Sequence, residues 1–379
     1  MKFQWLQILH CEARKVWRDP FFLCLLVICL CFHGFSIYEE RKAAEITQTD
    51  FVEGRAKVDA LLEGLRSERK ENWLRGQRQL VETGQAKTLF TDSKECDLSV
   101  LEDVAVDYQY AADYESYAAE IAQKATTYAN LYQAHGNAAD AAIQRKTADT
   151  FSGRRILDYY NLKDWTHYFA YDRGMLACLF VLLYGAVSIA VKEQQGNVSY
   201  VVYATPFQKR RVLLMKVFFA MLLAVGMTLL FQLVSVAGFV AAFGLKGWEQ
   251  PLYAIAEFQN SFWNGTILQA VVVDTGLKML GAMELTALTL LAAKIGKKQL
   301  VGTALSYGVV GGLIVLGWKL DLFVLPSGLL ASRGYLQNCE FLAIGNQALP
   351  TGLIAALFGA CMTIVLFFAY VLTGGKYEK

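Results

Sequence analysis

Six stretches of this chain are apolar over lengths that match the roughly 17 to 25 residues an α-helix needs to cross the hydrocarbon core of a bilayer. Backbone polar groups find no water there and must bond within their own segment, so each stretch is expected to be a helix. The stretches are about 21–38, 174–191, 212–243, 267–293, 300–318 and 352–373. Composition agrees, since 55% of the 379 residues are apolar and the mean hydropathy is +0.31. The predicted fold class is an all-α polytopic membrane protein with six transmembrane helices.

Charge is divided along the chain. Residues 39–172 hold 17 Lys/Arg against 24 Asp/Glu, whereas the remainder holds 19 against 10. An acidic soluble domain between the first two spans is therefore expected within a basic membrane frame. Its stretches 51–81 and 98–143 contain no proline and are rich in leucine, alanine and tyrosine, with a break over 84–99 that carries Gly84, Asp92, Ser93 and Asp97. They predict a helical hairpin or small bundle. Tyr108, Tyr110, Tyr114, Tyr117, Tyr128 and Tyr132 fit either a recognition face or rings packed against a partner helix. Tyr159, Tyr160, Trp165, Tyr168, Phe169 and Tyr171 suit an aromatic belt at the outer interface. Residues 1–20 space Trp5, Ile8, Leu9, Ala13 and Val16 on one helical face among Lys2, Arg14, Lys15 and Arg18, which predicts an interfacial helix ended by Pro20. Residues 36–39 make a poor cleavage site, so the first span is expected to stay as an anchor.

The orientation follows from basic residues. The segments 1–20, 192–216, 294–299 and 374–379 carry 14 Lys/Arg, and the loops 244–266 and 319–351 carry three. The positive-inside rule puts both termini in the cytoplasm and residues 39–172 outside a plasma membrane. Lys216, near the start of the third span, is expected to reach the headgroups.

Motifs for chemistry are missing from the sequence. No GxxxxGK[ST], GxSxG or HExxH occurs, and the four histidines show no metal-ligand spacing, so no catalytic residue, metal site, resident cofactor or nucleic-acid partner is expected. Of the eight cysteines, Cys24, Cys29, Cys31, Cys178 and Cys361 lie in apolar runs and read as small buried hydrophobes, and only Cys96 and Cys339 could meet outside the membrane. Charges within the fourth span stand out. Asp274 and Lys278 are one turn apart, with Glu284 further along. They read either as part of a substrate or proton path or, for Asp274 and Lys278, as residues near the outer headgroups ahead of the true span.

The segment 192–216, KEQQGNVSYVVYATPFQKRRVLLMK, joins the second and third spans. Its Glu193 and Gly196, its Thr205-Pro206 pair and Lys209, continuing to Leu213, Leu214 and Lys216, resemble the pattern E-x-x-x-G-T…(S/T)-P-x-x-(R/K)…L-x-x-K of type-2 ABC exporter permeases, with Asn197 where threonine is usual. The N-terminal EARKVWRDP, residues 12–20, is similar to the amphipathic helix that enters the first span in that family. In sequence the resemblance covers about 40 residues, and in the order of elements it covers the whole chain. It implies that 192–216 is a coupling loop docking on cytosolic ABC ATPase subunits, which bind the ATP, through Glu193, Gly196, Thr205, Pro206 and Lys209. It also implies a second permease chain, identical or not, paired in the lipid bilayer around a pathway.

The expected function is the permease subunit of an ATP-driven exporter. Two alternatives remain from other classes. One is a membrane sensor or anchor with a helical outer domain; the other is an ion-coupled secondary transporter using Asp274, Lys278 and Glu284, for which no internal repeat is found.

Overall fold

Asp19 and Pro20 set the first corner of the chain. The computed structural model describes residues 2–45, 49–85, 88–195, 206–296, 298–320 and 325–373. Helix α1 (Lys2–Trp17) stops just before this pair, and α2 (Pro20–Glu45) begins on it. The Asp19 carboxylate accepts the Phe21 backbone N–H at 3.0 Å, and Pro20 occupies the first helical position, where its missing donor is harmless. Proline therefore starts the spanning helix as much as it ends the one before. The α2 helix also runs past residue 38 and carries the polar 39–45 segment with it.

The domain between the first two spans is helical. Its members are α3 (Thr49–Leu62), α4 (Glu68–Glu82), α5 (Lys94–Ala134) and α6 (Ala138–Phe151). Ser67 and Ser93 cap α4 and α5 by accepting the N–H groups of Lys70 and Cys96. At 41 residues, α5 is about 60 Å long. Its first half buries Val100, Leu101, Val104 and Tyr108 against Val58 and Leu62 of α3 and Leu74 and Val81 of α4. Beyond that point Ala111, Ala118, Ala125 and Ala129 are buried, small residues that let α6 lie close alongside. Gly136, at φ 74°, makes the turn between the two helices, and Asn137 caps α6. A two-residue antiparallel pairing of β1 (Gly64–Leu65) with β2 (Asp158–Tyr159) closes the base of the domain.

The chain then enters the bundle through α7 (Lys163–Ala170) and α8 (Arg173–Gln195), followed by α9 (Pro206–Phe243), α10 (Ile267–Gly296), α11 (Gln299–Leu320) and α14 (Thr351–Thr373). Among the described residues six helices are long and apolar enough to cross a membrane, and the protein is an all-α polytopic membrane protein by that measure. Helix α8 is the centre of the bundle, enclosed by α2, α9, α10 and α11, while α11 and α14 turn most of their apolar surface outward. Helix α1 packs through Leu9, Ala13 and Val16 onto α8 and α9.

Between α11 and α14 come two short helices, α12 (Pro326–Leu330) and α13 (Arg333–Gln337), and a hairpin of β3 (Phe341–Ile344) and β4 (Gln347–Pro350). The hairpin packs against α6. Helix α12 turns back toward the bundle, and its Leu329 reaches both Gly281 of α10 and Gly359 of α14. A Cβ on those glycines would stand 3.1 Å and 2.7 Å from Leu329 side-chain atoms.

Several expectations change at this level. Trp165, Tyr168, Phe169 and Tyr171 do not form an outward belt. They are buried with Phe239, Phe243, Leu252 and Phe258, joining α7 to the ends of α9 and α10. Tyr110, Tyr114 and Tyr117 meet a helix and also the α9–α10 connection: their rings cluster with Phe151 of α6, and their hydroxyls donate to the Tyr253 carbonyl at 2.7 Å, the Gln259 carbonyl at 2.9 Å and Asn260 Oδ1 at 2.7 Å. Lys216 does not reach a headgroup layer, for it is 1% exposed. Cys29 and Cys178 are buried, but Cys24, Cys31 and Cys361 lie on exposed helix faces, and no cysteine forms a disulfide.

Candidate functional site

Two polar clusters are built into the bundle, one at each end. At the end that carries α1, the residues Tyr184, Ser188 and Lys192 recur every fourth position on α8 and so share one face. Lys192 donates to the Lys15 carbonyl at 2.8 Å and to Asp19 Oδ2 at 3.1 Å. The Tyr184 hydroxyl donates to the same Asp19 oxygen at 3.3 Å and accepts from Gln299 Nε2 at 2.8 Å. Asp19 therefore ties together the α1–α2 corner, the end of α8 and the start of α11. Burial pushes its carboxyl up, but the hydrogen bond and charge of Lys192, with the N–H donors of Phe21 and Phe22, outweigh that. The net effect holds Asp19 below its ordinary value of 3.8.

The 192–216 segment leaves the bundle from this cluster. Glu193 falls in the last turn of α8, and Pro206 and Lys209 fall in the first turns of α9. Gly196 and Thr205 lie outside the described residues.

The second cluster lies on α10, toward the end that carries the helical domain. Asp274 and Lys278 form an i,i+4 ion pair at 2.9 Å and are 2% and 5% exposed. The helix starts at Ile267, ahead of both, so they belong to it and are enclosed by protein. Ser332, just before α13, donates to the other Asp274 oxygen, and Arg333 beside it pairs with Glu257 of the α9–α10 loop. A pair of this kind, buried and held by a third group, is much harder to break singly than an exposed one. Glu284 does not join it. It is 3% exposed and faces Leu280, Leu329 and Gly359.

A third polar contact was not apparent from the sequence. His33 of α2 is fully buried, bonded to the Tyr171 hydroxyl at 3.0 Å and to Ser235 Oγ at 3.1 Å, and stacked on Tyr171 and Phe231. A lone histidine near the end of an apolar run has no pattern by which to find it. Asp19 offered a signal that could have been used, because an aspartate directly before a proline and an apolar run is a helix-start signature. Among the described residues no group of three His, Cys, Asp or Glu side chains could hold a metal ion. No protein-family model, curated protein or solved structure matches this chain.

Proposed function

We propose that this chain is the permease subunit of an ATP-driven exporter of the type-2 ABC class. It sits in a plasma membrane with both termini and the 192–216 segment in the cytoplasm and the α3–α6 domain outside. It pairs with a second permease chain and takes its energy from a separate cytosolic ATPase docked on 192–216. One observation carries the proposal. The two sequence segments that resemble the family, 12–20 and 192–216, are far apart in the chain, yet Lys192 bonds both Lys15 and Asp19. A force applied to the 192–216 segment would reach the α1–α2 corner, α8 and α11 through Asp19 and its partners. Six apolar helices and a sequence without a Walker loop are consistent with a transport subunit that is driven through a contact.

The test is co-purification of the ATPase encoded beside this gene with the wild-type chain and with Pro206→Glu, at equal membrane levels. The expected result is capture by the wild type and loss of capture and of ATP-dependent export in the variant, with unchanged insertion. Failure of the wild type to capture the ATPase in any nucleotide state would overturn the proposal, and so would full capture and export by the variant.

A further inference from the structure

Among the described residues, Glu284 is a buried carboxyl that no donor or cation meets. It lies three residues past Gly281 on α10, where α12 and α14 close over that helix. Its Oε2 has no hydrogen-bond partner, and no ion pair reaches it among the described residues. A Cβ on Gly359 would stand 3.3 Å from this oxygen, 2.7 Å from Leu329 and 3.6 Å from Leu280, so the carboxyl looks onto two leucines and a bare stretch of α14 backbone.

The elements around it supply no counter-charge. Helix α12 has no ionisable residue, and α14 has only Cys361, which is exposed, and Tyr370, which lies under Lys294. On α10 itself Asp274 and Lys278 neutralise one another further along. The remaining neighbours, α8, α9 and α11, keep their charged residues in their end turns apart from the buried Lys216, which is engaged by another group and forms no ion pair with Glu284. Their phenols are engaged elsewhere, Tyr184 with Asp19 and Tyr307 with the Phe180 carbonyl. An ionised carboxylate in such surroundings has neither a donor nor a cation to replace its lost hydration, whereas the neutral acid has far less to lose.

We propose that Glu284 is a proton-binding site inside the membrane, loaded while α12 is packed against Gly281 and Gly359. It is released when α12 moves off these glycines and admits water: the carboxyl O–H bond breaks, the proton passes to water and the carboxylate remains. The inference does not depend on the ATPase, because the site is complete within one chain.

Infrared difference spectroscopy of the full chain in lipid vesicles, without any ATPase, reads the site directly. The expected result at neutral pH is a C=O stretch of a protonated acid that shifts in heavy water, is lost in E284Q, moves in E284D and persists in D274N. In G281L, which forces α12 away, the acid band should weaken and a carboxylate band should grow. The wild type lacking an acid band at neutral pH would overturn the proposal, as would a band unchanged in both E284Q and E284D. An acid band of full strength in G281L would overturn the release step.

Discussion

Asp19 shows how much a single side chain can do when it ends one helix, starts another and holds a third. Replacing it with alanine removes a helix cap and leaves Lys192 and Tyr184 without their shared acceptor, which should cost about 1 to 2 kcal/mol. The drop would be read as a lower melting temperature in detergent. The pH dependence has a definite sign. A carboxyl held below its ordinary value binds fewer protons when folded, so its stabilisation is complete above 3.8 and is lost as pH falls through the depressed value. Asp19→Asn should therefore melt lower than wild type at neutral pH and converge with it in strong acid. Equal melting at both pH values would show that the Asp19 charge does not hold these helices together.

At the scale of elements, helix contacts are decided by a few glycines. A Cβ at Gly174, at the start of α8, would overlap His33 Cε1, well inside any real contact. Gly174→Ala should push the ring away from Tyr171 and Ser235 and destabilise the α2–α8 contact by roughly 1 to 3 kcal/mol. His33→Ala alone should also destabilise, because it empties a fully buried site and removes one bond from each of the Ser235 and Tyr171 hydroxyls, which keep only their backbone acceptors. The double variant should be more stable than the sum of the two losses implies, since the clash needs both residues. Strict additivity would mean that the ring and the helix do not compete for this space. The spans themselves were legible in the sequence, because apolar length acts over whole helices, and the ends of α8, α10 and α14 fall within a few residues of the apolar runs. The i,i+4 spacing of Asp274 and Lys278 was legible and the two do pair, but which helix is central was not, nor that the pair is enclosed by protein while Glu284 stands apart. Those outcomes depend on neighbours such as Leu329 and Ser332, supplied by short helices and their flanks with no periodic signal of their own.

For the whole molecule, the arrangement of basic residues makes a prediction about sidedness. A single cysteine at Asp140, in α6, should be labelled by an impermeant reagent on intact cells, and one at Lys298, between α10 and α11, should be labelled only after permeabilisation. Labelling of Lys298 from outside would invert the proposed topology. Arg154 is one of the side chains that fix the domain to the bundle. Its guanidinium donates to Asn264 Oδ1 at 2.7 Å and the Ser261 carbonyl at 2.8 Å, and it lies over the rings of Phe151 and Tyr253. Arg154→Ala should cost roughly 3 kcal/mol, seen as faster proteolysis of α5 and α6, and Arg154→Lys should recover little because it keeps the charge without the planar fork. Full protection in both variants would show that this contact does not hold the domain.

The same contact has a consequence for how the protein is made. The partners of Tyr110, Tyr114, Tyr117 and Arg154 come from residues 253–264, and the hairpin against α6 comes from residues 341–350, so this face of α5 and α6 leaves the ribosome long before the segments that cover it. Early folding from the N-terminus can assemble the hydrophobic contacts of α3, α4 and α5, but the tyrosine face must wait until the later loops have been delivered to the same side of the membrane. Completion of the domain thus waits on segments that are made after it. A chain whose fourth or sixth span inserts wrongly would display an uncovered row of tyrosines to quality-control proteases.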